Sequence, residues 1–167
     1  VGELGSDGVY FYPQREASKL EFAKVFVKSV CSEFEGSSDF VNECLNSLGY
    51  SGIVKKPLNI DKVNEDVKDY AIVAYNLGVF GEPLTTPYVN FGDKISRIEV
   101  ARFLVKTLHL KYVSDIDENL KAYDDISDLS LDDQILAELT NYYGYLKGDG
   151  NKFYPHKALT RVQLAVI

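Results

Sequence analysis

The stretch ISRIEVA, residues 95–101, decides how this chain folds, because two other stretches repeat its pattern. ASKLEFA occupies residues 17–23, and LTRVQLA occupies residues 159–165. Each copy contains, in order, an apolar residue, a hydroxyl, a cation, an aliphatic residue, Glu or Gln, an apolar residue and Ala. A pattern that recurs in phase predicts a chain built from internal repeats.

Each copy also contains the signal that begins an α-helix. A hydroxyl followed three residues later by Glu or Gln forms a capping box. The boxes are Ser18 with Glu21, Ser96 with Glu99, and Thr160 with Gln163. Apolar residues then recur at offsets of three and four, which indicates one face of an amphipathic helix. That face comprises Leu20, Ala23, Phe26, Val27 and Val30 in the first copy, and Ile98, Ala101, Leu104, Val105 and Leu108 in the second.

A second type of helix precedes the Gly-rich loops. Residues 67–79 and 131–143 show helical apolar periodicity and end next to glycines. The repeating unit is therefore helix, Gly-rich loop, capped helix. Residues 37–49 predict one further short helix.

Three units follow from this pattern. The first covers residues 1–54, lacks a leading helix and contains the inserted short helix. The second covers residues 55–113, and the third covers residues 114–167 and is truncated about two turns into its capped helix.

Composition excludes several classes of function. The chain of 167 residues has 18 Lys and Arg against 25 Asp and Glu, a net charge of −7, which is opposite to a nucleic-acid-binding footprint. No apolar run is long enough to span a membrane.

Cys31 and Cys44 are too few for a disulfide scaffold and lack the CxxC spacing of a metal site. They either pair in an oxidising compartment or stay as buried free thiols.

The cation in each copy occupies an unusual position. Lys19, Arg97 and Arg161 each follow the N-cap, where the helix dipole disfavours positive charge by roughly 0.3–1 kcal/mol. The free N–H groups of a helix start, joined by a guanidinium, form a receptor for a carboxylate or phosphate. The alternative is that each cation pairs with a nearby acid or lays its stem over apolar surface.

Two further stretches complete the motif. Residues 123–126 read YDDI, and residues 148–155 read GDGNKFYP. Together with the repeated helix start, they resemble the S-layer homology family. The resemblance implies a pseudo-threefold, all-α array of tandem helix-loop-helix pseudo-repeats around a shared central helical bundle. It also implies grooves between repeats that bind secondary cell-wall polymers, which often carry pyruvylated sugars.

The same resemblance implies which residues bind the polysaccharide: Lys19, Arg97, Arg161, Asp125, Gly148, Asp149 and Gly150. This chain departs from the family pattern at three points. Lys19 stands in place of Arg, Gln163 stands in place of Glu, and no Trp begins the leading helices.

We therefore expect a non-enzymatic, extracellular module at the cell surface or cell wall. It would anchor a secreted surface protein non-covalently to an anionic wall polysaccharide, without a cofactor or metal. His109 and His156 have no recognisable nucleophile partner. The stretch that begins at Asp115 resembles a calcium loop, but Leu120 and Ile126 replace the Gly and Glu that such a loop requires. The alternative function is protein–protein interaction or assembly of a surface lattice.

Overall fold

The fold is mostly helical, as predicted. A computed structural model describes residues 3–4, 10–81, 83–112 and 123–167. Its α-helices are α1 (Lys19–Val30), α2 (Phe40–Ser47), α3 (Glu65–Leu77), α4 (Arg97–Thr107), α5 (Leu131–Tyr142) and α6 (Arg161–Leu164). Short 3-10 helices cover Ser32–Phe34 and Ile60–Lys62. Strands β1 (Glu3–Leu4) and β2 (Tyr10–Phe11) form one antiparallel pair.

All three predicted capping boxes are formed. At the start of α1, the Ser18 hydroxyl accepts a hydrogen bond from the Glu21 N–H at 3.1 Å. The Glu21 carboxylate accepts one in return from the Ser18 N–H at 2.9 Å. The same reciprocal pair begins α4 and α6. These bonds use N–H groups that a helix start leaves without partners, so local sequence fixes where each helix begins.

The three repeated segments hydrogen-bond to one another in a closed cycle. The Ala17 N–H donates to the Leu159 carbonyl at 2.7 Å, Leu159 donates to Ile95 at 3.0 Å, and Ile95 donates to Ala17 at 3.2 Å. A second set runs the opposite way around the cycle, from Lys19 to Asp93, Arg97 to Lys157 and Arg161 to Arg15. The three helix starts therefore form a ring in which each one is bonded to both of the others.

Aromatic packing joins the capped helices α1 and α4. The rings of Phe22 and Phe26 both contact Phe103 edge-on, with centroids 5.3 and 4.6 Å away. Such pairs contribute about 0.5–1.5 kcal/mol beyond the burial of their area. Helix α1 also packs against α3, and α4 packs against α5. A central helical bundle shared by the three pseudo-repeats stays a prediction.

The inserted helix is attached by a disulfide. The prediction for residues 37–49 is confirmed as α2, Phe40–Ser47. Cys31, directly after α1, is bonded to Cys44 within α2, with Cα atoms 5.4 Å apart. Of the two states that the sequence left open, the structure has the disulfide.

Within the described ranges, no helix is both long enough and apolar enough to cross a bilayer.

Candidate functional site

Two grooves lie where one repeated segment meets the next, and their linings correspond position by position. The Arg97 groove has a volume of about 330 Å³, and the Lys19 groove has a volume of about 260 Å³. Each contains a cation, the loop after a leading helix, and the start of the next capped helix. In the same order these residues are Arg97, Gly144, Lys147, Leu159 and Gln163 in the first groove, and Lys19, Gly78, Gly81, Ile95 and Glu99 in the second.

In the Lys19 groove the cation is neutralised. Lys19 Nζ lies 2.7 Å from Glu99 Oε1. The second oxygen of that carboxylate accepts the capping bond from the Ser96 N–H at 2.8 Å. Burial by itself raises the pKa of Glu99, but the hydrogen bonds from Lys19 and Ser96 outweigh burial and leave that pKa below its ordinary value. Glu99 is therefore ionised at neutral pH and completes an ion pair across two repeats.

Arg97 has different partners. The residue is only 7% exposed. Its Nε donates to the Phe153 carbonyl at 2.6 Å, and one Nη donates to the Lys147 carbonyl at 2.8 Å. The guanidinium carbon also lies 4.9 Å from the centroid of the Phe153 ring. A guanidinium has five N–H donors, so two carbonyls leave most of its donor capacity for another acceptor.

No carboxylate among the described residues forms an ion pair with Arg97. Burial lowers the pKa of Arg97, and electrostatic attraction to Tyr123 and Asp125 partly offsets this. The Asp125 carboxylate is itself engaged by the backbone N–H groups of Phe153 and Tyr154, at 2.7 and 2.8 Å. Arginine keeps its charge even when buried. A buried charge without a contacting counterion is costly, so an external anion would be stabilised here.

Gln163 explains why Arg97 has no contacting carboxylate among the described residues. It occupies the position that Glu99 has in the other groove, and its side-chain oxygen accepts the capping bond from the Thr160 N–H at 3.0 Å. The remaining polar atom is an amide nitrogen, which can only donate. Within the described part of the chain, the lining of the Arg97 groove includes Arg97, Lys147 and Gln163 and no acidic side chain.

The third cation also has a carboxylate nearby. Arg161 Nε lies 3.5 Å from Glu21 Oε1. The same Glu21 oxygen is bonded by Arg15. Lys19 and Arg161 thus follow the alternative in which the cation pairs with a nearby acid, whereas no acid among the described residues contacts Arg97.

The predicted loop residues build the frame that holds Arg97. The Gly148 N–H donates to the Tyr123 hydroxyl at 3.1 Å. A Cβ at Gly148 would lie 2.2 Å from the Tyr123 ring, so no larger residue fits. Asp149 pairs with Lys152 through backbone bonds, and Gly150 has φ +59°. Asp149 and Gly150 shape the turn, and none of Asp125, Gly148, Asp149 and Gly150 is among the residues that line the Arg97 groove.

Sequence reasoning did not identify Asn59, which matches Asp125 in the second unit. Its side-chain oxygen accepts from the Val89 N–H at 3.0 Å, and its amide donates to the Val89 carbonyl at 2.7 Å. Asn59 precedes the start of α3 by the same interval that separates Asp125 from α5. That equal spacing is the signal that could have identified it.

The described ranges contain no candidate for a metal site. No group of three or more His, Cys, Asp or Glu side chains there could hold a metal ion. His156 is exposed and lies 3.9 Å from Asp128. Asp115 and the rest of residues 113–122 lie outside the described residues. The expectation of a non-enzymatic module stays a prediction.

Comparison with known proteins gives no family assignment, since no protein-family model matches the chain and no curated protein matches it. The likeness to S-layer homology repeats consequently rests on the motifs alone.

Proposed function

We propose that this chain anchors a secreted surface protein non-covalently to a cell-wall polysaccharide that carries carboxylate groups. The proposal rests on one observation, the way in which the Arg97 side chain is held and exposed to the groove. Its guanidinium is almost fully buried, is positioned by two carbonyls, and opens onto a groove whose described lining has no acidic side chain.

The chemistry of the groove favours an oxyanion. Bonds between a guanidinium and a carboxylate are short, strong and often bidentate. Fixing Arg97 in advance means that a ligand does not have to immobilise a flexible side chain. The Gln163 amide and the exposed Lys147 add further donors beside it.

Aromatic side chains beside the groove suit a polysaccharide better than a free ion. Tyr145 lines the groove. Tyr142, close to it in sequence, is 61% exposed, and the neighbouring Tyr143 is also exposed. A tyrosine ring offers an apolar face and a hydroxyl, which match the mixed surface of a sugar ring.

The disulfide supports an extracellular location. Disulfides form and persist in oxidising compartments and are rare in reducing ones. The Cys31–Cys44 bond is fully buried and joins two helices. A structural bond of this kind fits a protein that is exported before it functions.

A second candidate function is protein–protein interaction or lattice assembly. Loops of the second unit expose large apolar side chains: Ile53 at 86%, Leu84 at 81% and Tyr88 at 68%. Large exposed apolar side chains mark contacts between proteins where they lie together in one patch. None of the three lines the Arg97 groove, so the two functions are distinguishable.

Co-sedimentation with purified bacterial walls tests the proposal. Three preparations are compared: untreated walls, protease-treated walls, and protease-treated walls that are chemically stripped of secondary polysaccharide. We expect the chain to sediment with protease-treated walls and to stay in solution with stripped walls. Binding that protease treatment abolishes would favour the protein partner, and no binding to any intact wall would contradict the anchoring function.

A further inference from the structure

We infer that the last residue of each capping box determines which groove binds an anion: Gln163 keeps the Arg97 groove competent, and Glu99 blocks the Lys19 groove. The inference rests on the proposed function for the identity of the natural ligand. It predicts one anion site per chain, although three cations occupy equivalent positions.

The two oxygens of Glu99 have separate tasks. Oε2 accepts the capping bonds from the Ser96 N–H and hydroxyl, each at 2.8 Å. Oε1 accepts from Lys19 at 2.7 Å. Glutamate at this position therefore caps one helix and neutralises the cation of the preceding repeat at the same time.

Gln163 performs only the first task. Its oxygen caps α6 through the Thr160 N–H. Its other polar atom is an NH₂ group, which cannot accept a hydrogen bond from Arg97 and adds no negative charge. The change from carboxylate to amide preserves the helix start. It also removes the internal anion that would neutralise the cation, so the groove can accept an external anion.

Competition explains why the other cations are blocked. A carboxylate held in the same molecule has an effective concentration in the millimolar range or above, so a dilute external anion does not displace it. An anion that entered beside Glu99 would also be repelled by it. Lys19 meets Glu99 in this way, and Arg161 lies beside Glu21.

The expected ligand is a carboxylate or phosphate group on a sugar, and not a neutral sugar. The carbonyls of Phe153 and Lys147 bind the Arg97 Nε and one N–H of an Nη. The remaining N–H donors of the planar guanidinium still form a fork. Such a fork matches the two oxygens of an oxyanion. Removing the acidic substituents from the polysaccharide should consequently abolish binding.

Reciprocal substitutions test the inference, because Gln and Glu both form the capping box in this chain. Isothermal titration of the wild type with purified, carboxylate-bearing wall polysaccharide should show one site. Gln163→Glu should lower the affinity at least tenfold. Glu99→Gln should keep the original site and add a second, weaker one at Lys19. The polysaccharide with its acidic substituents removed serves as the matched ligand control.

Sodium pyruvate, followed by NMR at millimolar concentration, separates the two proposals. If the polysaccharide does not bind but pyruvate binds at Arg97 and Gln163→Glu abolishes it, the inference stands and the anchoring function fails. If the polysaccharide binds equally to wild type and Gln163→Glu, the anchoring function stands and the inference is overturned. If neither probe binds, both are overturned.

Discussion

The Lys19 groove and the Arg97 groove have the same backbone frame, but the cation is neutralised by a carboxylate in the first and has no contacting carboxylate among the described residues in the second. In both, the N–H of the cationic residue donates to a carbonyl of the next repeat, Asp93 in one case and Lys157 in the other. One groove contains a closed ion pair with Glu99. The other contains a buried guanidinium that contacts two carbonyls and the Phe153 ring, while Asp125 attracts it from a distance and is bonded to backbone N–H groups.

The difference shows that the repeated backbone and the binding site are separable. Capping requires one acceptor oxygen, which Glu and Gln both supply. Neutralising the cation requires the second oxygen, which only Glu supplies. A single side chain can therefore change what a groove binds while the helix start beside it stays the same.

Removing the cation of each groove should give the largest difference in stability between the two grooves. Arg97→Ala leaves the carbonyls of Lys147 and Phe153 without their charged donor, and two such bonds contribute about 3–6 kcal/mol to the free energy of unfolding. Lys19→Ala removes a partly exposed ion pair, which contributes about 1 kcal/mol or less. Urea unfolding of both variants measures the difference. Equal losses would show that the two cations are equivalent after all.

Removing the disulfide should lower the stability of the protein without altering either groove. Replacing Cys31 and Cys44 with Ala releases a bond that spans 13 residues. A loop of this length predicts a cost of about 3 kcal/mol. Anion binding, measured well below the unfolding temperature, should stay unchanged. A parallel loss of binding would indicate that α2 supports the Arg97 groove.

A glycine in the loop of the Arg97 groove allows a smaller test. Gly148→Ala forces Tyr123 or the Lys152 carbonyl to move, because the new Cβ would lie 2.2 and 2.6 Å from them. We expect a cost of about 1–3 kcal/mol, as for other overpacking substitutions, together with weaker anion binding. Gly92→Ala is the matched control, since its Cβ meets only an ordinary contact at 3.6 Å. Thermal unfolding would show whether the two variants differ.

Acid should weaken the ion pair of the Lys19 groove, and this is the smallest expected effect. The folded pKa of Glu99 is lowered, so its stabilising contribution is complete above the unfolded value of about 4.3 and is lost as pH falls through the folded pKa. The stability difference between wild type and Glu99→Gln should consequently shrink over that range. Gln163→Ala is the control, because no ionisable side chain is removed and its cost should not change with pH. A constant difference for Glu99→Gln would contradict the ion pair.

The helices could be predicted because their signals are local. Residues 67–79 and 131–143 were expected, and the structure has Glu65–Leu77 and Leu131–Tyr142. The capping boxes depend on residues three apart and were also correct. Periodicity and capping act within one or two turns, so the sequence states them directly.

The difference between the cations could not be predicted, because their partners are distant in sequence. Lys19 meets Glu99 across 80 residues, and Arg97 meets Phe153 across 56. The motif presented Lys19, Arg97 and Arg161 as equivalent. Gln163 was visible as a departure, but its meaning depends on which cation faces it, and only the ring of backbone bonds establishes that.

The side-chain NMR signal of Arg97 Nε tests the central claim most directly. Purified, carboxylate-bearing wall polysaccharide is added to the ¹⁵N-labelled chain while the signals of Arg97, Arg102 and Arg161 are followed. We predict that the Arg97 signal shifts with saturation, whereas those of Arg102, paired with Asp133, and Arg161, beside Glu21, stay in place. Saturable binding of the polysaccharide without any shift of Arg97 would contradict the account.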